Sequence, residues 1–146
     1  ITSFKTNMCT GYIENLDEYK FTPELQNNCL RPDEELGAKN LDNGCYQFIR
    51  SMSSCHTPKF QDNFMVNGRP EPGYVDGVGT LSSPCKEYLK AHYSYPSCIA
   101  NHSNDKNFYG NEWRIFLGSN WELWNKNQET ISLFDLNNNL ITNYSY

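Results

Sequence analysis

The spacing of apolar residues changes period partway along the chain. From Asp42 onward, Cys45, Phe48, Ile49 and Met52 recur at i, i+3, i+4 and i+7, the stripe of an amphipathic helix. Asp42 or Asn43 stands where an N-cap belongs. The stripe returns in Cys85, Tyr88, Leu89 and His92, behind Ser83 as N-cap and Pro84 at the first helical position. The two stretches echo each other, CYQFIR at Cys45–Arg50 and CKEYLK at Cys85–Lys90. Between them Asn67, Gly68, Pro70, Pro72, Gly73, Gly77 and Gly79 predict a long exposed loop. Past about Asn107 the period falls to two. Trp113, Ile115 and Leu117 alternate with Arg114 and Phe116, giving a strand over Glu112–Leu117 that Gly118 ends. Ile131 and Leu133 alternate with Thr130 and Ser132 across Thr130–Asp135, Leu136–Asn139 form a turn, and Leu140–Tyr146 returns as the second arm of a hairpin. Residues before Asn43 carry no period. Pro23, Pro32 and Gly37 punctuate them, with a short strand at Gly11–Ile13.

These patterns predict an α+β fold: a disulfide-stapled two-helix region over residues 1–106, followed by a C-terminal antiparallel sheet over 107–146, packed as one compact unit. The cysteines supply the staples. Cys9, Cys29, Cys45, Cys55, Cys85 and Cys98 are even in number and form no pair of Cys-x2-Cys clips for zinc. The three histidines, His56, His92 and His102, share no ligand spacing, so neither a metal nor an organic cofactor is expected. Disulfides imply an oxidising compartment. Cys45 and Cys55 would flank one helix roughly 15 Å apart, beyond the reach of about 7 Å between bridged Cα atoms. Antiparallel helices then set Cys45 against Cys98 and Cys55 against Cys85, which leaves Cys9 with Cys29. The Cys-x9-Cys and Cys-x12-Cys spacings resemble those of twin-cysteine helical hairpins, although the long intervening loop departs from that pattern.

Composition narrows the class further. With 146 residues the chain can bury roughly two-thirds of its unfolded surface, and 10 Tyr, 8 Phe and 3 Trp are too much aromatic surface for a disordered chain. The net charge of −5 is spread without a basic run, so no nucleic-acid partner is expected. Asp33–Glu35, the longest charge run, reads as a solvated turn. No stretch approaches the ~20 apolar residues that span a bilayer, so no membrane insertion is expected. Lacking an initiator Met and a leader pattern, the chain reads as a mature or excised product. Asn101-His102-Ser103 and Asn143-Tyr144-Ser145 are glycosylation sequons, meaningful only in a eukaryotic secretory host.

Glu112–Gly118 (EWRIFLG), Leu123–Asn125 (LWN), Glu129–Asp135 (ETISLFD), Ile141 and the closing Tyr144-Ser145-Tyr146 together resemble the last three strands of the lamin tail domain. That family is an immunoglobulin-like β-sandwich found in nuclear lamins and in exported bacterial proteins. The cysteine-bearing middle is likewise similar to exported proteins of environmental bacteria that end in such a tail. The sequence departs from the family at Gln128 and Asn138, where Gly is favoured, and the family's opening strands are not recognisable in residues 1–106. The resemblance implies a non-catalytic structural or interaction module.

No nucleophile elbow, His-Glu-x-x-His pair, phosphate loop or dinucleotide fingerprint is present, so no enzyme is expected. Cys55-His56 reads as a disulfide beside a surface histidine, since a bridged cysteine has no thiolate. The carboxyl pairs Glu112/Glu122 and Asp76/Glu87 are the remaining candidates for acid–base work, with no pattern to favour them. Trp113 and Trp124 read as core, whereas Trp121, Tyr93 and Tyr95 are candidate glycan contacts. A sandwich with only its last strands present has open edges. Ile1, Thr2, Ser3, Phe4 and Lys5 form a candidate inter-subunit arm, and the C-terminal strands are expected to pair with a neighbouring copy. The sequence thus points to a non-enzymatic extracellular or cell-surface structural protein, a self-associating surface or filament subunit, and the lamin-tail resemblance implies a bacterial surface. The alternative is a secreted ligand-binding module that takes carbohydrate.

Overall fold

The computed structural model describes residues 3–16, 20–61, 64–71, 73–118, 127 and 129–145. They divide into two compact units, one of Phe4–Arg114 and one of Ile1–Ser3 with Ile115–Tyr146. In the larger unit, strand β1 (Phe4–Asn7) and the one-turn helix α1 (Gly11–Glu14) precede two 3-10 turns at Pro32–Glu34 and Ala38–Asn40. Helix α2 (Asn43–Ser51) follows, then the short strands β2 (Phe60–Gln61), β3 (Phe64–Val66), β4 (Arg69–Glu71), β5 (Tyr74–Val75) and β6 (Gly79–Thr80). Helices α3 (Ser83–His92) and α4 (Tyr95–His102) and strand β7 (Tyr109–Arg114) complete it. The smaller unit holds the hairpin of β8 (Thr130–Phe134) and β9 (Leu140–Ser145). All strand pairs are antiparallel: β1–β7, β2–β5–β6, β3–β4 and β8–β9. The class is α+β, stapled by three disulfides.

The echo between the two helical stretches is a physical contact. Asp42 Oδ1 accepts from the Cys45 N–H at 2.9 Å, and Ser82 Oγ accepts from the Cys85 N–H at 3.3 Å, so each helix has a side-chain N-cap. The Ser82 hydroxyl then donates to Asp42 Oδ2 at 2.8 Å, cap to cap, and Cys45 is bridged to Cys85 at the matching position. The cap of α3 is therefore Ser82, one residue before Ser83. A third helix, α4, starts in the same way, with Ser94 accepting from the Ser97 N–H and Pro96 in the first turn.

This meeting of two N-termini explains why the disulfides depart from the expected Cys9–Cys29, Cys45–Cys98 and Cys55–Cys85. An antiparallel hairpin would bring opposite helix ends together. Here the like ends meet, and the bridges are Cys9–Cys98, Cys29–Cys55 and Cys45–Cys85. Helix α2 stops at Ser51, and Cys55 lies in a turn beyond it at φ 59°, facing Cys29. Cys98 sits on α4 and reaches Cys9 across a sequence separation of 89. With loops of 26, 40 and 89 residues, the chain-entropy model gives about 3.5 to 4.6 kcal/mol per bridge.

The expected strand at Gly11–Ile13 is instead helix α1. Asn7 Oδ1 accepts from the Cys9 N–H and the Thr10 hydroxyl donates to the Asn7 carbonyl, which closes a turn that α1 continues. Gly11 is required by close approach, since a Cβ there would overlap Cys55 Sγ. The long loop expected around Asn67–Gly79 is also structured. Asn67 and Gly68, both at positive φ (50° and 78°), join β3 to β4, and Asp76 and Gly77 (51° and 71°) lie in the turn between β5 and β6. Positive φ at both central residues is what a tight hairpin turn demands. Val75, fully buried, joins Ile49, Leu89, Phe48, Tyr12 and the bridged cysteines in the core.

Strand β7 belongs to the larger unit, so the division falls after Arg114 and not at residue 106. It covers Tyr109–Arg114, not Glu112–Leu117, and pairs with β1 through Phe4↔Arg114, Lys5↔Trp113 and Asn7↔Tyr109. The C-terminal segment does take a partner from outside itself, but from the same chain. Phe4 and Lys5, expected in the inter-subunit arm, pair here with Arg114 and Trp113 of the same chain. Trp113, expected in the core, lies on this two-stranded sheet with 61% of its surface exposed.

Candidate functional site

In the smaller unit the alternation of Thr130–Phe134 becomes two unlike faces. The register Thr130↔Ser145, Ile131↔Tyr144, Ser132↔Asn143 and Leu133↔Thr142 puts Ile131, Leu133, Thr142 and Tyr144 on one face. The other face carries Thr130, Ser132, Asn143 and Ser145, with the Thr130 and Ser145 hydroxyls 2.7 Å apart. The turn is held by Asp135, whose carboxyl accepts from the Asn137 and Asn139 N–H groups and from Asn139 Nδ2. Those bonds, the Asn139 side chain first, hold Asp135 below the usual carboxylate range. Asn138 takes φ 64°, a left-handed position that asparagine tolerates in a turn. Every residue of the two strands is exposed, on the apolar face as on the polar one. Leu133 is 44% exposed, Phe134 50% and Leu140 53%. Ile115, Phe116 and Leu117 are each more than half exposed.

The larger unit gathers two of the histidines on one buried carboxyl group. Glu35, at the end of the first 3-10 turn, is 8% exposed. His102 Nε2 lies 3.1 Å from both of its oxygens, and His102 Nδ1 lies 2.8 Å from Asp105 Oδ2. Neutral imidazole has a single N–H, so carboxyl oxygens at both nitrogens select the imidazolium. Burial works against that charge, but the Asp105 hydrogen bond and the nearby Glu35 outweigh it, and the His102 pKa is raised. His92 Nδ1 stands 3.1 Å from Glu35 Oε1, its ring stacked on Tyr88 at 4.1 Å. Burial, reinforced by Glu35, pushes the Tyr12 phenol up to about 12, and Tyr93 donates to the Pro32 carbonyl. The cluster ties α3 and α4 to the 3-10 turn.

Among the expected contacts, Tyr93 is 3% exposed and hydrogen-bonded inward, so it is no surface platform, whereas Tyr95 is partly buried against the core. Trp121 and Trp124 lie outside the described residues, as do Ile1, Thr2, Glu122 and Gln128. Ser3 Oγ accepts from the Phe116 N–H at 2.9 Å. In the larger unit the exposed aromatics among the described residues are Tyr109 and Trp113, both on β7; reading Trp113 as core hid them. Cys55 is bridged, and His56 pairs with Asp76 at 2.8 Å. The second Asp76 oxygen accepts from the Lys59 N–H at 2.7 Å. No group of His, Cys, Asp and Glu among the described residues could hold a metal ion, and none of their helices is long and apolar enough to cross a membrane. Comparison with protein-family models, with curated proteins and with solved structures finds no match.

Proposed function

We propose that the chain is a non-enzymatic structural protein of the cell exterior, a surface or filament subunit that binds further copies of itself through its C-terminal unit. In this reading the unit is part of a lamin-tail-like, immunoglobulin-type sandwich whose remaining cover comes from a neighbouring copy. The observation that carries it is the open apolar face of β8–β9. A lone two-stranded hairpin is marginal in water, and an apolar–polar alternation gains stability only when its apolar side is covered. Fully burying side chains such as Ile131 and Leu133 contributes about 1.5 to 3 kcal/mol each. A contact that uses the same face on both partners closes as a dimer, whereas a head-to-tail contact propagates. The three disulfides fit an oxidising compartment, where such a subunit would work.

Sedimentation velocity over a concentration series tests this directly. The full chain should associate as its concentration rises, and the Ile131→Ser/Leu133→Ser double variant should stay monomeric with the melting of the disulfide-bonded unit unchanged. A full chain that remains monomeric at every concentration overturns the proposal.

A further inference from the structure

Strands β1 and β7 pair with an irregularity between Lys5 and Asn7. Thr6, the residue inside it, is re-aimed by the local bend, and its hydroxyl donates to the Glu112 carbonyl at 3.0 Å. Gly110 leaves room for this arrangement, because a Cβ there would stand 2.6 Å from Thr6 Oγ1. Beside the strand pair lies a cleft of about 390 Å³, lined by Thr6, Thr10, Gln26, Asn28, Asn111 and Glu112 together with Gly110. Its size falls within the roughly 300 to 1,000 Å³ of small-molecule sites.

The lining selects its ligand by elimination. None of these residues is Val, Leu, Ile, Met or aromatic, so the cleft offers no seat for an acyl chain or for the side-chain anchors of a peptide. No Lys or Arg lines it, which disfavours phosphate and other anions. Its one carboxyl, Glu112, is 2.6 Å from Arg114 Nε, an ion pair that is not aligned as a hydrogen bond, so the guanidinium balances the charge. A single carboxyl is also too few for a cation cage. What remains is uncharged hydrogen bonding in both senses. Asn28 Nδ2 donates to Gln26 Oε1 at 3.2 Å, which orients the two amides and leaves Gln26 Nε2 to donate and Asn28 Oδ1 to accept. The Asn111 amide adds a second donor and acceptor without a hydrogen-bond partner among the described residues. The buried Thr10 hydroxyl donates to the Asn7 carbonyl at 2.7 Å, so its oxygen is left as an acceptor. Sugar hydroxyls, each at once donor and acceptor, are the complement of this set. We propose that the cleft between the β1–β7 pair and Gln26–Asn28 binds a short stretch of neutral carbohydrate. The proposal goes beyond self-association and stands without it.

The test is electrophoresis of the full chain through native gels containing hydroxyethylcellulose, dextran or soluble starch, with polyvinyl alcohol and dextran sulfate gels beside them. The chain should be retarded in at least one neutral glycan gel. Because each amide contributes one or two hydrogen bonds, Gln26→Ala and Asn111→Ala should each weaken binding by about three- to tenfold. Both side chains are exposed, so the melting temperature should stay constant. Absence of retardation in all three glycan gels, equal retardation in polyvinyl alcohol, or retardation by dextran sulfate alone overturns the proposal. So does retardation undiminished in both variants, and its loss on Trp113→Ala instead would move the contact to the exposed aromatics of β7.

Discussion

At the scale of single residues, His102 couples the fold to pH. Its pKa is raised because Asp105 and Glu35 hold the imidazolium more strongly than burial disfavours it. A group whose folded-state pKa is raised contributes stability that is fully present below the unfolded value, about 6.5 for histidine, and loses it as the pH rises through the folded value. Denaturant midpoints should therefore fall as the pH is taken upward past about 6.5, and His102→Gln should remove that part of the slope. An unaltered slope in the variant would assign the effect to another group. None of this was legible beforehand. His92 and His102 are ten positions apart, and nothing in the sequence marks Glu35, one of three acidic residues in a run, as the buried one. Burial of a carboxyl is decided by tertiary packing, which leaves no local signature.

At the scale of elements, the starts of α2 and α3 were legible to within a residue because their signals are local: a 3.6-residue stripe and a side chain that caps the first turn. The same signal at Ser94-Tyr95-Pro96 marks α4, which the single stripe ending at His92 obscured. The Asn67-Gly68 hairpin carries the strongest short-range turn signal known, hidden here among the flanking glycines and prolines. The shared cap of α2 and α3 gives an element-scale prediction. Ser82→Ala removes one cap bond and the Ser82–Asp42 contact together, so it should destabilise the larger unit by about 1 kcal/mol or somewhat more. Thermal melting of Ser82→Ala against Ser83→Ala checks this, and Ser83→Ala should be close to silent. Equal effects would return the cap to Ser83.

At the scale of the whole molecule, the class and the full pairing of the cysteines were legible, whereas the pairing pattern was not. Connectivity depends on which helix ends meet, and two helices of similar length and stripe are compatible with either arrangement. The tertiary choice is made by the cap-to-cap bond and by the turn that takes Cys55 away from α3. The smaller unit was legible as a hairpin because alternation and turn chemistry are both local. The partner of β7, over a hundred residues away in sequence, was not.

The bridge from Cys9 to Cys98 has a consequence for wear. It spans nearly the whole larger unit, and Cys45–Cys85 lies within it, so a break in the chain between Cys55 and Cys85 leaves the two pieces joined at two places. The Asn67-Gly68 turn, exposed at the tip of its hairpin, is the natural place for a protease to cut. A protein nicked there should run as one species on a non-reducing gel and as two after reduction, and it should keep a single melting transition for the larger unit. Release of a fragment without reductant would contradict the bridges. In an oxidising compartment, where the bridges persist, such a molecule can be cut and still stay in one piece.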